Sequence, residues 1–464
     1  MYFEQFYLGC LAHASYMIGS EGVAAVIDPQ RDVDIYLEAA RENGLEIRYV
    51  IETHLHADFV SGHGELAART GAAIYMGACA GASFPHAGVR DGDELRFGRC
   101  ILKFLDTPGH TLESISILVT DLDRSPEPFA VFTGDTLFVG DVGRPDLAKD
   151  VTSEQLAGRL YDSLFDKLLK LDDAVQVYPA HGAGSLCGRQ LGKERYTTIG
   201  KERLTNYALQ VPNKQEFVRR LITDLPPRPE YFAQDVEMNR QGAQPITNLP
   251  ELSPLSGAEI KEWIEKGAIV LDTRPTIEFA AGHIPGSVHI GLSGQYASWA
   301  ARLLGLDAEI IIMASDREAV RESQIRLARV GIEKAHGFVA DGVTGASRAF
   351  ELEQIPQVSL QELDRMLSDG DDSFTVLDVR EDGEWKAGHL AAAKHIPLGN
   401  LIQRSGELDP GRMTLVHCAS GYRSSIATSL LRRAGFAEVA NVTGGFNAWK
   451  AANLPVAPAV AAPA

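Results

Sequence analysis

The sequence predicts an α/β multidomain protein, with one layered α/β domain followed by two copies of a smaller α/β domain. Three observations lead there. The chain has 464 residues, room for about three domains at roughly 150 residues each. Its first half alternates short apolar runs with turn-rich segments, and its second half repeats itself in register.

In the first half the runs VAAVIDP, IRYVIETH, CILKFLDTPGH, FAVFTGD and AVQVYPAH are rich in β-branched residues and end at His or Asp. They read as buried strands that deliver polar side chains to one rim of a sheet. Helical stretches such as VDIYLEAARENG and SGHGELAART lie between them, which makes residues 1–240 a layered domain with its site at the strand ends. From 226 to 256, PPRPEYF and QGAQPITNLPELSPLSG hold too much proline for helix or central strand, so a domain boundary falls there.

Beyond the boundary, LDTRPTIEFAAGHIPGSVHI begins at Leu271 and LDVREDGEWKAGHLAAAKHI at Leu377. Asp272/Asp378, Arg274/Arg380, Glu278/Glu384, Gly282/Gly388, His283/His389 and His289/His395 all stand 106 residues apart. Gly331 and Gly435 stand 104 apart, the drift expected of a short loop change. Residues 252–352 and 357–456 are therefore two domains of one fold. The alanine- and proline-rich 457–464 reads as a flexible tail.

Composition narrows the function. A 45% hydrophobic and 23% charged chain with no apolar run of about 18 residues is expected to be soluble and not membrane-bound. No basic and apolar leader opens the chain, so the expected location is the cytoplasm. The net charge of -18 repels phosphate backbones and argues against nucleic acid. Five cysteines without a CxxC pair fit neither a disulfide scaffold nor a structural zinc site.

THLHADF at 53–59 has the spacing of a metal loop in His54, His56 and Asp58, but Phe59 stands where a second metal would want another imidazole. TPGH, TGD and YPAH add His110, Asp135 and His181, each after an apolar strand. Neutral imidazole and carboxylate are first-row metal ligands.

With these motifs, and with TPGHT, TGDTL and GRPDL, the first domain resembles the metallo-β-lactamase superfamily, in its glyoxalase II and persulfide dioxygenase branch. The resemblance implies an αβ/βα sandwich with a metal at one edge. Phe59 cannot donate a lone pair, so one ion per chain is expected. Carried over from the persulfide dioxygenase pattern, the ligands are His54, His110 and Asp135, a set that suits mononuclear Fe(II) and dioxygen. His56, Asp58 and His181 then stand behind them and orient ligands and water. Arg144 of GRPDL would flank the metal and hold a carboxylate of the substrate. Gly182 departs from the glyoxalase-like PAHD pattern. Cys187, six residues past His181 in a glycine-rich loop, is expected near the pocket mouth as an auxiliary thiol.

The second signal is MTLVHCASGYRSSIATSLLRRAG. A strand delivers Cys418, a short loop follows, and a helix is expected from about Ser424, so backbone N–H groups converge on the sulfur. With LD-R and GHI/GHL upstream, the repeat resembles tandem rhodanese domains. The resemblance implies that Cys418 carries persulfide sulfur, that the backbone of Ala419, Ser420, Gly421, Tyr422 and Arg423 cradles it, and that Arg423 binds an anionic donor or acceptor. The first copy has Ala314 opposite Cys418 and no cysteine, so it carries no sulfur.

Together these resemblances imply a bifunctional sulfide-detoxification enzyme. It would oxidise a low-molecular-weight thiol persulfide with O2 to sulfite and exchange sulfane sulfur with sulfite or thiosulfate, as a homo-oligomer without nucleic-acid or membrane partners. The competing expectations are a glyoxalase II-like thioester hydrolase fused to rhodanese, and a non-catalytic sulfur-relay or sensing protein.

Overall fold

The computed structural model describes residues 1–223, 225–370 and 372–457. The expected tail lies outside the described residues, apart from Ala457, which bridges to His389. The chain divides into two compact units, Met1–Leu249 with Leu327–Gly331, and Pro250–Arg326 with the chain from Ile332 onward. Among the described residues no helix is long and apolar enough to cross a membrane.

The first unit holds two six-stranded sheets whose strand order follows the chain, from Tyr2–Leu8 to Ala87–Val89 and from Glu94–Phe97 to Thr197–Thr198. Strand alternation divides the side chains between two faces. On His13–Ser20, Tyr16 and Ile18 point into a core between the sheets together with Ile27, Phe104, Ile117 and Phe132. Met17 points the other way, with Val26, Tyr36 and Leu66, beneath the helices Asp34–Glu42 and His63–Thr70. Val131 likewise faces Leu160, Leu164 and Phe217 of the opposite helical layer. The result is helix, sheet, sheet, helix, the sandwich the resemblance implied.

The second unit holds two five-stranded parallel sheets of identical order. In the first the strands run Pro254–Leu255, Ala335–Val339, Ile310–Met313, Ile269–Asp272, Val288–His289. In the second they run Gln357–Val358, Val439–Val442, Met413–His417, Phe374–Asp378, Ala393–His395. The repeat seen in the sequence is thus a repeat of topology. Each copy opens on a capped helix, with Ser256 accepting from Glu259 N and Ser359 from Glu362 N, which satisfies backbone donors left over at the helix start.

Candidate metal centre and thiol loop

Strand ends build the first site. Glu46–Ile51 leads to His54, Cys100–Asp106 to His110, and Ala130–Gly134 to Asp135. The chain turns sharply at Gly134, whose φ is 51°, and a Cβ there would meet Thr53 Oγ1 at 2.5 Å. At Gly143 a Cβ would meet the Asp135 carbonyl at 1.9 Å, so only glycine lets the GRPDL loop pass this close.

His54, His110 and Asp135 bring one donor atom each to within 4.8 Å of one another. His110 Nε2 is 3.4 Å and His54 Nε2 3.8 Å from Asp135 Oδ2. The opposite sides of the rings are tied. His110 Nδ1 donates to the Arg144 carbonyl at 3.0 Å. The Thr53 hydroxyl donates to Asp28 Oδ2, so His54 Nδ1 donates to Thr53 Oγ1 at 3.0 Å. Both rings therefore present a bare Nε2 lone pair, and burial holds both pKa values below the ordinary histidine value. Among the described residues, His54 Nε2, His110 Nε2 and Asp135 Oδ2 are all buried without a hydrogen-bond partner. Each such orphan costs about 1–3 kcal/mol, and a divalent cation would satisfy all three. The residues fit a metal.

Behind this set stands a chain of carboxylates and imidazoles. Asp135 Oδ1 accepts from His181 Nδ1 at 2.7 Å, and His181 Nε2 is 3.0 Å from Asp58 Oδ2. Burial opposes charge on His181, but the Asp135 and Asp58 carboxylates raise its pKa well above the ordinary value. His56 turns Nε2 between Asp28 Oδ1 at 3.2 Å and Glu52 Oε2 at 3.3 Å. Burial again opposes the charge, yet the two carboxylates push its pKa up to about 10.

The second site lies in the last domain. Cys418 follows the strand Met413–His417 and is 1% exposed. Gly421, with φ 109°, starts the helix Tyr422–Arg433 and donates its N–H to Cys418 Sγ at 3.1 Å. The helix begins two residues before the expected Ser424, a shift common at helix ends. Arg423 pairs with both carboxylate oxygens of Glu384, at 2.6 and 2.8 Å, so it meets an anion only if this pair opens. Glu384 belongs to the repeat motif, but nothing in the sequence marked it as the partner of Arg423. In the first copy the Asp316 carboxylate accepts from Ala319 N at 2.8 Å, so the start of that helix is already filled.

Comparison with known proteins places these sites in families. The metallo-beta-lactamase superfamily pattern matches residues 8–181 and the rhodanese-like domain pattern matches 256–348 and 359–452. Persulfide dioxygenase ETHE1, mitochondrial, of Bos taurus is 30% identical over 213 residues, which cover 44% of this chain and 74% of that protein. The chain belongs to the metallo-beta-lactamase superfamily and carries two rhodanese-like domains. A solved metallo-beta-lactamase from Staphylococcus aureus subsp. aureus COL is 34% identical with a TM-score of 0.66, covering 73% of this chain and 98% of that one. A hydroxyacylglutathione hydrolase of Polaromonas sp. is 36% identical over 163 residues, 34% of this chain and 57% of that protein.

Two expectations for this metallo-beta-lactamase and rhodanese fusion need correction. Arg144 is 4% exposed, and its guanidinium donates to both Asp146 oxygens and to the Leu186 and Pro226 carbonyls. It clamps loops, and its own carbonyl orients His110; four of its five N–H donors are already engaged, so it is not an open fork for a substrate carboxylate. Cys187 is 1% exposed instead of at a pocket mouth, within ligand distance of Asp58 and His181, and burial raises its thiol pKa well above the ordinary value.

The sequence reading also missed His13, Asp28 and Glu52. His13 is fully buried, its ring 4.1 Å from Phe59 and 5.6 Å from His181; a lone histidine in LAHASY carries no motif. Asp28 and Glu52 end the runs VAAVIDP and IRYVIE, and the strand-end signal that found the ligands could have found them too. A cavity of about 320 Å³ is lined by Ala57 and Thr111, the chain neighbours of His56 and His110, and by Glu113, Lys149, Arg228 and Phe232, among others.

Proposed function

We propose that the fusion oxidises a low-molecular-weight thiol persulfide with O2 to sulfite at a single Fe(II) held by His54, His110 and Asp135. Cys418 moves sulfane sulfur to or from sulfite and thiosulfate. The observation that carries the reading is the trio of bare, buried donor atoms, two imidazole nitrogens and one carboxylate oxygen, beside a position where Phe59 offers no lone pair. Two imidazoles and one carboxylate suit a non-haem Fe(II) oxygenase. When bound, Fe(II) supplies the Lewis acidity and electron transfer that a persulfide and O2 require.

The chain's own residues do the rest. His181 occupies Asp135 Oδ1 and so directs the carboxylate through Oδ2, while Arg144 and Thr53 fix the ring nitrogens. Phe59 and His13 fill the neighbouring volume with rings and exclude water. The overall reaction balances as persulfide, O2 and water giving thiol and sulfurous acid, R–S–SH + O2 + H2O → R–SH + H2SO3. At the second site the Cys418 thiolate attacks a sulfane sulfur, the S–S bond breaks and the carrier thiolate leaves. Sulfite then attacks the outer sulfur of the Cys418 persulfide, which releases thiosulfate and restores the thiolate that the Gly421 N–H faces.

The cavity lined by Ala57 and Thr111 has the size for a small thiol carrier. All five cysteines are free, in keeping with a reducing compartment such as the cytoplasm. Hydrolase relatives support a second reading, metal-dependent thioester hydrolysis, which the loss of a ligand at Phe59 disfavours in its two-metal form. Anaerobic purification with metal analysis, followed by oxygen-electrode and thioester assays, separates the two. One iron per chain with persulfide-dependent O2 uptake is expected, and Asp135→Ala should lose most of the metal. Two zinc ions per chain at full activity, or thioester turnover without O2 uptake, would overturn the proposal.

A further inference from the structure

The rhodanese copy without a cysteine carries the segment AGHIPGSVHIG, and the contacts of that segment reach the other copy. The helix Tyr422–Arg433, whose N-cap residue Gly421 turns its amide to Cys418, is buried at every position from Ser424 to Leu431. One side packs on its own sheet. The other lies along the strand Val288–His289 of the silent copy, and four hydrogen bonds join them. The Tyr422 hydroxyl donates to the Gly291 carbonyl at 2.9 Å. His289 N donates to Ser429 Oγ at 3.0 Å. Arg433 donates to the Gly286 carbonyl at 2.8 Å.

The fourth bond has a fixed direction. His289 Nε2 faces the Arg274 carbonyl at 2.9 Å, and a carbonyl only accepts, so Nε2 carries the proton. Nδ1 is then an acceptor, and the Ser425 hydroxyl donates to it at 2.8 Å. The Arg274 carbonyl is itself placed by the buried Asp272–Arg274 pair. A rigid line thus runs from the core of the silent copy to the first turn of the Cys418 helix. The active copy repeats the His395 to Arg380 carbonyl bond at 2.8 Å, but its His395 Nδ1 looks toward the exposed Asp382 at 3.7 Å.

We propose that the silent copy positions the sulfurtransferase site, His289 and the Gly291 carbonyl acting through Ser425 and Tyr422 to fix the helix start that cradles Cys418. The inference rests on Cys418 as the sulfur-carrying nucleophile. A one-ångström swing of this turn would carry the Gly421 N–H out of hydrogen-bond range of the sulfur.

The test uses the full chain and two readouts. Site-resolved alkylation of Cys418 by iodoacetamide, followed by mass spectrometry, reads the cradle without any sulfur substrate. Steady-state transfer from thiosulfate to cyanide reads the chemistry. Tyr422→Phe and Ser425→Ala should each change the alkylation rate and lower kcat by about two- to tenfold, the worth of one hydrogen bond, with KM nearly unchanged. Ser425→Thr, which keeps the hydroxyl, should recover most of the loss. Persulfide-dependent O2 uptake should not move.

Alkylation and kcat both within error of the wild type in folded Tyr422→Phe and Ser425→Ala would overturn the proposal. So would a loss that Ser425→Thr fails to recover. Should Ser425→Ala fail to fold, Tyr422→Phe, which deletes one oxygen, decides. An altered alkylation rate in a chain that transfers no sulfur even as wild type would keep the positioning role and reject Cys418 as the nucleophile.

Discussion

Both rhodanese copies bury an aspartate–arginine pair at the same place, Asp272 with Arg274 and Asp378 with Arg380, each at 2.5 Å in its shortest contact. Both turn a histidine onto that arginine's carbonyl. They part at the loop after the central strand. The active copy has CASGYR, with a glycine in the left-handed region and a free amide for sulfur. The silent copy has ASDRE, with a carboxylate already on the helix start. The shared motifs belong to the frame, and the proposed sulfur chemistry rests on a few loop residues. A repeated LD-R or GH motif is thus evidence of fold, and only the loop bears on sulfur transfer.

The sharpest way to break this comparison is to remove the sulfur. Cys418→Ser should reduce thiosulfate-linked transfer to background and leave persulfide-dependent O2 uptake within about twofold, since the proposal makes Cys418 indispensable to one reaction and foreign to the other. Equal loss of both activities in a folded variant would tie Cys418 to the metal site.

Next come the frame residues. Asp272→Ala and Asp378→Ala each strand a buried guanidinium, and each should cost about 3–5 kcal/mol in denaturant unfolding. If only one of them destabilises its copy, the two frames are not equivalent. Ala314→Cys should have little effect on anything. Mass spectrometry after incubation with thiosulfate should find no added sulfur at position 314, because the Asp316 carboxylate already sits at the helix start, on the Ala319 amide, where an anion would have to go.

The smallest difference concerns acid. Burial disfavours the charge of Glu384, but the Arg423 guanidinium holds its carboxyl below the ordinary 4.5. The silent copy has Ala319 at the position of Arg423. A depressed folded pKa means stability that is present above 4.5 and lost as the pH falls below it through the depressed value. The active copy should therefore lose an increment of stability below about pH 4.5 that Glu384→Gln abolishes, as read from unfolding midpoints against pH.

The grouping of His54, His110 and Asp135, the strand–loop–helix around Cys418 and the repeat were legible in the sequence because each is local or lies at a constant distance along the chain. His54, His110 and Asp135 each close an apolar run, so the strand pattern alone delivers them to one rim. Cys418 stands between a strand and a helix that both have clear patterns, and the 106-residue register needs no structure to be counted. That the first copy has no thiol to carry sulfur is read directly from the sequence, which has no cysteine between Cys187 and Cys418.

What tertiary structure decided is where the polar groups spend their bonds. Arg144 looked like an open cation, but its donors go to Asp146 and to the carbonyls of residues 186 and 226, and a backbone carbonyl leaves no signature in a sequence. His13, from the start of one strand, meets Phe59 and His181 only because the sheets bring distant strand ends to one edge. Cys187 is buried because its loop folds inward, a choice made by packing and not by the residue. Tyr422 reaches Gly291 across 131 residues, a partnership set by how two folded copies dock. Side-chain chemistry is written residue by residue. Whether a group faces a substrate, a core or its own backbone depends on which distant segment packs against it, and that is settled only when the chain has closed on itself.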